Sequence, residues 1–202
     1  MKPLPIALGL ATALTLGACT TTPTGPVEVT RFVAADRTVE LGRGSIFVES
    51  AAGLEGDSLT LSPYKAAVAD ELRRLGYTES AREGAGQVAQ VSVERYMLGS
   101  GGRRSPVNVG VGGSTGSYGS GLGLGIGINL GGGQKDRLGT EMAVTIRDKA
   151  TGESIWEGRA DFQAPEDSPL ARGPANAQTV ASALFRDFPG NNGETIEVEV
   201  SE

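Results

Sequence analysis

A glycine-rich run at residues 99–133 constrains the fold of this chain more than any other feature of the sequence. Between positions 121 and 130, apolar residues of one parity alternate with residues that are mostly glycine, and valines repeat this pattern at 107–111. Alternation with a period of two predicts strands, so we expect a long hairpin inserted between two ordinary halves of one domain. The run contains neither GxGxxG nor GxxxxGK, the two glycine patterns of phosphate-binding loops. We therefore expect no nucleotide-binding loop in it.

The amino terminus is predicted to be a signal peptide over residues 1–18. Lys2 precedes an apolar stretch that ends at Leu16, which suits a signal-peptide core and is too short to span a bilayer. The stretch runs into Gly17, Ala18 and Cys19, a sequence that resembles a bacterial lipobox. We therefore expect cleavage before Cys19.

Lipidation of Cys19 is the expected result, because this residue is the single cysteine of the chain and stands at the cleavage junction. Acyl chains on Cys19 would anchor the protein to a membrane. Thr20 takes the place of the aspartate that retains lipoproteins in the inner membrane, which by resemblance to the sorting rules predicts the outer membrane of a Gram-negative bacterium, with the domain on its periplasmic face. Residues 19–26 are predicted to be a tether. The alternative is an ordinary secretory signal in which the cysteine is incidental.

The composition narrows the possible activities. The chain lacks histidine and has one cysteine, which removes most transition-metal sites, the histidine-dependent nucleophile systems and any internal disulfide. The formal net charge of -6 disfavours nucleic acid as a partner. We therefore expect no cofactor, no metal and no enzymatic activity.

Periodicity places the regular elements in residues 27–202, which are predicted to form a single periplasmic domain. Ser62 and Pro63 are expected to begin the first helix, with Ser62 as its N-cap, and Gly76 to end it. A second helix is expected to end at Pro189. Strands are predicted at 27–34, 45–49, 89–96, 142–147, 155–162 and 195–200. The fold class predicted from this order is α+β, with a mostly antiparallel sheet, two helices packed on one face, and the order ββαβ, glycine-rich hairpin, ββαβ.

Two side-chain sets invite a functional interpretation. Ser62 and Lys65 form an SxxK pattern at a helix start, which some acyl-transferring enzymes use, although the partner motifs of those enzymes are missing and capping explains the serine. Trp156 is predicted to anchor the core, with presentation to a ligand as the alternative.

Several short motifs in a fixed order resemble a bacterial lipoprotein family, that of domain of unknown function 4136. They are ELRRLGY at 71–77, the strand at 88–96, a glycine-rich middle, IWEGRA at 155–160 and the pair Phe188 and Pro189. The resemblance implies a sheet with two packed helices in an envelope lipoprotein. It implies no catalytic residues, because the family has none assigned.

The glycine-rich hairpin leaves three interpretations open: it covers part of its own domain, it mediates self-association, or it inserts into a membrane. The leading functional hypothesis is a non-enzymatic structural or assembly adaptor of the cell envelope that binds an envelope protein. The alternatives are a homo-oligomeric export or pore component that uses the hairpin, and an envelope hydrolase that uses carboxylates or the pair Ser62 and Lys65.

Overall fold

The computed structural model describes residues 24–52, 59–98, 104–106 and 136–200. The elements, in chain order, are β1 (Val27–Val33), β2 (Ser45–Ser50), α1 (Ser62–Arg74), β3 (Thr78–Glu79), β4 (Gln87–Leu98), β5 (Arg104–Pro106), β6 (Arg137–Asp148), β7 (Ser154–Pro165), α2 (Gly173–Leu184) and β8 (Glu194–Val198). Short 3₁₀ turns occur at 38–40, 82–84 and 169–171. The six strands predicted outside the glycine-rich run and both predicted helices are present, with ends that differ by a few residues, whereas β3 and β5 were not predicted. The strands predicted within the glycine-rich run lie outside the described residues beyond 104–106.

The sheet is mixed, so the predicted mostly antiparallel sheet is wrong. Its strand order is β3-β2-β4-β6-β7-β1-β8, with β5 paired to the end of β4. Strand β2 runs parallel to both β3 and β4, while the other neighbours are antiparallel. The cause lies in α1, because a helical crossover between adjacent strands returns the chain in the same direction.

The predicted order of ββαβ in each half is also wrong. The extra strands β3 and β5 interrupt it, and β1 does not pair with β2. Strand β1 instead lies between β7 and β8, antiparallel to both. The two halves of the chain are therefore built differently. Strand β1 is the first in sequence but pairs with β7 and β8, which come from the second half of the chain.

Both helices pack against the same face of the sheet and form one apolar core with it. Val27, Val29 and Val33 of β1 point into this core, whereas Glu28 and Phe32 between them are exposed. The same alternation follows β6 and β7. Each of these strands therefore has one buried and one open side.

Trp156 is the largest fully buried side chain, with 1% of its surface exposed. Its indole stacks on Phe185 at a centroid distance of 5.3 Å, and its Nε1 donates a hydrogen bond to the carbonyl oxygen of Pro189 at 2.9 Å. The predicted role as core anchor is confirmed, and the ligand-presenting alternative for Trp156 is wrong. Gly158 allows the close packing here, because a Cβ at this position would lie 2.3 Å from the Trp156 ring and 2.8 Å from Leu184.

The ends of α1 differ from the expected arrangement in one respect. Leu61, and not Ser62, is the N-cap residue, and the Leu61 side chain makes no capping hydrogen bond. Gly76 follows the helix with a φ of 107°, which confirms its role as the stop. The second helix ends at Leu184, before the predicted Pro189, because the chain turns away at Phe185.

Most of the glycine-rich run lies outside the described residues, as do the signal peptide and Cys19. Within the run, residues 104–106 form β5, which pairs with Tyr96, Met97 and Leu98 of β4. The predicted hairpin is therefore not tested beyond these three residues. In the described part of the chain, no helix has the length and apolar character needed to cross a membrane.

Candidate functional site

The side of the sheet that faces away from both helices, which we name the open face, is the best candidate site. No described helix or strand covers it. It presents the outward side chains of β8, β1, β7, β6 and β4, which include carboxylates, hydroxyl groups and one exposed aromatic ring, Phe32. A flat sheet face of this kind is a preformed surface, because its backbone is fixed by strand pairing on both sides.

Five carboxylates lie in one line across the open face, and we name this line the carboxylate row. Its members, in spatial order, are Glu197 of β8, Glu28 of β1, Asp161 of β7, Glu141 of β6 and Glu94 of β4. Each member is directly opposite the next in the strand registers. Like charges directly opposite each other on a sheet repel each other.

Neighbouring side chains hold the middle of the carboxylate row. The Tyr96 hydroxyl contacts both carboxylate oxygens of Asp161, at 2.7 and 2.9 Å, and Gln163 Nε2 donates to the same carboxylate at 3.2 Å. The Arg159 guanidinium lies 3.2 Å from Glu141. Asp161 and Glu141 are therefore positioned by their neighbours, whereas Glu28, Glu94 and Glu197 are exposed to solvent.

Tyr96 reaches Asp161 across a glycine. A Cβ at Gly139 would lie 2.1 Å from the Tyr96 ring, so the ring occupies the space that a side chain there would fill. The ring is 2% exposed although it lies on the open face. Gly139 thus lets the Tyr96 hydroxyl lie against Asp161.

A depression of about 390 Å³ lies beside the carboxylate row. Its lining includes Glu28, Thr30, Phe32, Ala143, Glu157 and Arg159. Phe32 is 54% exposed, which is unusual for a large apolar side chain, and it stands directly opposite Glu157. The depression therefore combines an accessible aromatic ring with two carboxylates, Glu28 and Glu157.

A second cavity, of about 450 Å³, lies where β6 begins and β7 ends. Asp136, Glu166, Asp167 and Arg172 line it, and Arg172 forms an ion pair with Glu166. Among the described residues, no three His, Cys, Asp or Glu side chains are grouped so that they could hold a metal ion.

Arg31 is fully buried beneath the opposite face of β1. Its Nη1 donates to Glu194 Oε1 at 2.7 Å, its Nε to the carbonyl oxygen of Leu184 at 3.2 Å, and its Nη2 to that of Arg186 at 2.5 Å. Leu184 is the last residue of α2 and Arg186 lies just beyond it, so the guanidinium is at the helix end where the dipole favours a cation. Asn191 and Arg31, both bonded to Glu194, lower the pKa of its carboxyl. The structure thus assigns Arg31 to stability and not to ligand binding.

A second charged group fastens the turn after β1. Arg37 bonds Glu40, Asp148 and Glu153 at 2.7, 2.9 and 3.1 Å. Its hydrogen bond lowers the pKa of Glu40, whereas the pKa of Asp148 is lowered mainly by the backbone N–H of Thr151 and then by Arg37. Because each carboxylate here has a partner, this group is structural.

A buried polar group connects the two helices. The Tyr64 hydroxyl lies 2.6 Å from Asn176 Oδ1, and Thr140 Oγ1 lies 3.1 Å from the same oxygen. Asn176 donates in turn to the carbonyl oxygen of Leu170 at 2.8 Å. Burial raises the pKa of Tyr64, so its hydroxyl stays protonated and can donate.

The residues that sequence reasoning singled out do not converge on one site. Cys19 lies outside the described residues, so its lipidation stays a prediction. Ser62 is exposed on the first turn of α1 and Lys65 lies on the same turn. The capping role predicted for Ser62 is wrong, because Leu61 takes the N-cap position.

Sequence reasoning missed the carboxylate row. Each member was visible as an acidic residue on the outward parity of a strand, as at Glu28 and Glu197. What the sequence did not contain was the register that aligns them, which depends on β1 lying between β7 and β8.

Comparison with known proteins identifies no family. No protein-family model matches the chain, and no curated protein matches it. The resemblance to the lipoprotein family of domain of unknown function 4136 therefore stays a prediction.

Three solved structures are similar in backbone arrangement. Two are PelC dodecamers from Paraburkholderia phytofirmans, one of them a methionine variant, at 12% and 16% identity with TM-scores of 0.46 and 0.44; each match covers 79% of this chain and 94% of that one. The third is a PDZ domain protein from Parabacteroides distasonis, at 12% identity with a TM-score of 0.48, covering 86% of this chain and 39% of that protein. At these identities and TM-scores, the similarity carries no argument about function.

Proposed function

We propose that this chain is a lipid-anchored, non-enzymatic adaptor of the Gram-negative cell envelope that holds an envelope protein on its open face. The observation that carries the proposal is the contrast between the two faces of the sheet. One face is covered by both helices, and the other presents the carboxylate row together with hydroxyl groups and the exposed ring of Phe32. A preformed surface of this kind binds a partner with little rearrangement of its backbone.

The anchor in this proposal is a lipid on Cys19 at the periplasmic face of the outer membrane. Its support is the lipobox-like sequence and the place of β1, which begins at Val27 shortly after the cysteine. Cys19→Ala is expected to leave the signal peptide uncleaved or to release the protein from the membrane fraction. Unchanged processing and fractionation of this variant would overturn the anchor.

Crosslinking in intact cells tests the adaptor role. A photoreactive residue at Thr30, on the open face, should give adducts with another envelope protein. The matched control replaces Ala66, which is exposed on α1 on the other side of the molecule. Adducts from Ala66 without adducts from Thr30 would contradict binding at the open face.

Self-association is a second candidate, and the edge strand β8 favours it. Within the described residues, β8 pairs only with β1, so its other edge has free backbone donors and acceptors. Chromatographic sizing of the chain with and without residues 107–131 tests whether the glycine-rich run or another surface mediates it. A monomer in both cases would exclude self-association.

A further inference from the structure

We propose that the depression on the open face binds an extended segment of another protein in which a cationic, an acidic and a second cationic side chain occupy alternate positions. The segment runs along β1, with its cations at Glu28 and Phe32 and its acidic side chain at Arg159. The inference rests on the proposed function, since it names the chemistry of the partner held on the open face.

The depression follows the direction of the strands. Three successive outward residues of β1 line it: Glu28, Thr30 and Phe32. On β7, Arg159 and Glu157 are the register partners of the last two. Successive outward residues of a strand are about 6.6 Å apart, so Glu28 and Phe32 are about 13 Å apart. A strand stacked on a sheet in the aligned manner runs within about 30° of the strands beneath it and has the same spacing, so its alternate side chains lie over these positions in turn.

The charges along the depression alternate in sign. Glu28 is at one end, Arg159 is in the middle and Glu157 is at the other end. All three are exposed, and within the described part of the chain neither glutamate side chain has a hydrogen bond or an ion pair. The Nε of Arg159 lies 3.2 Å from Glu141, which leaves its Nη groups as donors. A segment with the order cation, carboxylate, cation is therefore complementary to the depression.

The exposed ring adds to one end of the depression. Phe32 is 54% exposed and lies directly opposite Glu157. A cation over an aromatic face gains from the charge distribution of the ring, and the neighbouring carboxylate adds to the attraction. On the β6 side, Ala143 and Thr145 are small and leave room for the stem of a long side chain. This end therefore offers a cation both an aromatic face and a carboxylate.

An extended segment from a second copy of this chain does not fit the depression. The two cations of the bound segment must be four positions apart to span about 13 Å. The sequence contains no two lysine or arginine residues at this separation. The occupant is therefore a segment of a different protein, as the adaptor role requires.

Two fluorescently labelled peptides of equal composition test the spacing. GSKTETKSG has lysines four positions apart with a glutamate between them, whereas GSTKEKTSG has its lysines two positions apart. Fluorescence anisotropy with the full-length chain in detergent should show about fivefold tighter binding of the first peptide, because only its lysines reach both carboxylates. Equal affinities for the two peptides would overturn the proposal.

Loss of the two carboxylates tests the site itself. Glu28→Gln/Glu157→Gln should weaken binding of GSKTETKSG about tenfold. The matched control Glu79→Gln/Glu83→Gln changes two glutamates at the far edge of the sheet, where four strands separate β3 from β1, and should weaken it less than about twofold. Melting temperatures verify that both variants are folded. Equal weakening by the two double variants would place the binding elsewhere and overturn the proposal.

The ring gives a readout that net charge cannot produce. Phe32→Leu keeps an apolar side chain but loses the aromatic face, and should weaken binding of GSKTETKSG about threefold. Wild-type affinity in this variant would remove the ring from the site.

A third peptide, GSKTQTKSG, tests the middle contact together with Arg159→Gln. The effect of replacing the peptide glutamate by glutamine should differ about threefold between the wild type and this variant, because the variant lacks the partner of that glutamate. The comparison removes any effect of Arg159→Gln on Glu141, which is common to both peptides. The same effect in both proteins would overturn the contact with Arg159.

Crosslinking at Thr30 in cells reports on the proposed function separately. Adducts from Thr30, together with equal binding of the two lysine spacings, would support the adaptor role and overturn this inference. A preference for the wider spacing without adducts would support the recognition chemistry and contradict the adaptor role.

Discussion

Single residues decide how close the layers of this molecule can approach one another. Gly158 and Gly139 lie on opposite faces of the sheet, and each leaves space for a ring, Trp156 in the core and Tyr96 on the open face. Neither glycine is in a turn. Their role is steric. Gly158 lets a ring pack closely in the core, and Gly139 lets a ring pack closely at the candidate site.

Gly158→Ala should lower the free energy of unfolding by about 1–3 kcal/mol, because the added methyl group overlaps Trp156 and Leu184. Urea unfolding followed by tryptophan fluorescence measures the change. The control is Glu157→Ala on the preceding, exposed position, which should alter stability by less than about 0.5 kcal/mol. Equal stability of Gly158→Ala and the wild type would mean that the indole is not packed on this glycine.

Glu28→Gln should stabilise the fold by a few tenths of a kcal/mol, since Glu28 is flanked by Glu197 and Asp161 on neighbouring strands. The gain should shrink at high salt, because surface charges are screened. Thermal melts at low and high salt measure both effects. A loss of stability at low salt would show that the carboxylate row is not repulsive.

At the scale of elements, α2 depends on a residue from a distant strand. The helix ends at Leu184 and its last carbonyls are bonded by Arg31 of β1, whose buried guanidinium also pairs with Glu194 of β8. One side chain thus connects two strands and a helix. The sequence predicted a strand residue at this position but not a buried cation.

Arg31→Met should cost about 3 kcal/mol or more of stability, because it removes the cation that pairs with Glu194 and the buried donor at the end of α2. Chemical denaturation measures the loss. Arg73→Met, which removes an exposed ion pair with Asp70 on α1, should cost less than about 1 kcal/mol and serves as control. Similar losses in the two variants would contradict the role assigned to Arg31.

Local patterns predicted most elements, and tertiary pairing explains the errors. The alternation around Val29 and the spacing of Tyr64, Val68 and Leu72 were sufficient for β1 and α1, since each signal lies within one element. The parallel pairing of β2 with β4 and the position of β1 depend on contacts between distant segments. Because the carboxylate row arises from those registers, the candidate site could not be predicted either.

At the scale of the whole molecule, carboxylates with lowered pKa values link stability to pH. Four carboxylates have a cationic partner that helps to lower their pKa: Glu40, Glu49, Asp148 and Glu194. For Glu194 the hydrogen bond from Asn191 is the larger cause, and for Asp148 it is the hydrogen bond from the Thr151 N–H. A carboxylate whose pKa is lowered by folding stabilises the native state above its unfolded pKa. That contribution is lost as the pH falls through the folded pKa.

The free energy of unfolding should therefore be nearly constant at neutral pH and decrease once the pH falls below the ordinary glutamate value of 4.5. Urea midpoints measured across this range test the prediction. Glu194→Gln should be less stable at neutral pH and should show a shallower decrease, because the variant has one carboxylate fewer to protonate. Parallel curves for the variant and the wild type would exclude Glu194 as a contributor.

The place of β1 also determines the order in which the molecule can assemble. Thr30 and Thr195 share a hydrogen bond of 2.9 Å although 165 positions separate them. A chain that emerges amino terminus first therefore cannot complete its first strand until β7 and β8 have appeared. Pairing of such remote segments slows folding. Strand β1 therefore stays unpaired with β7 and β8 until nearly the entire polypeptide has emerged.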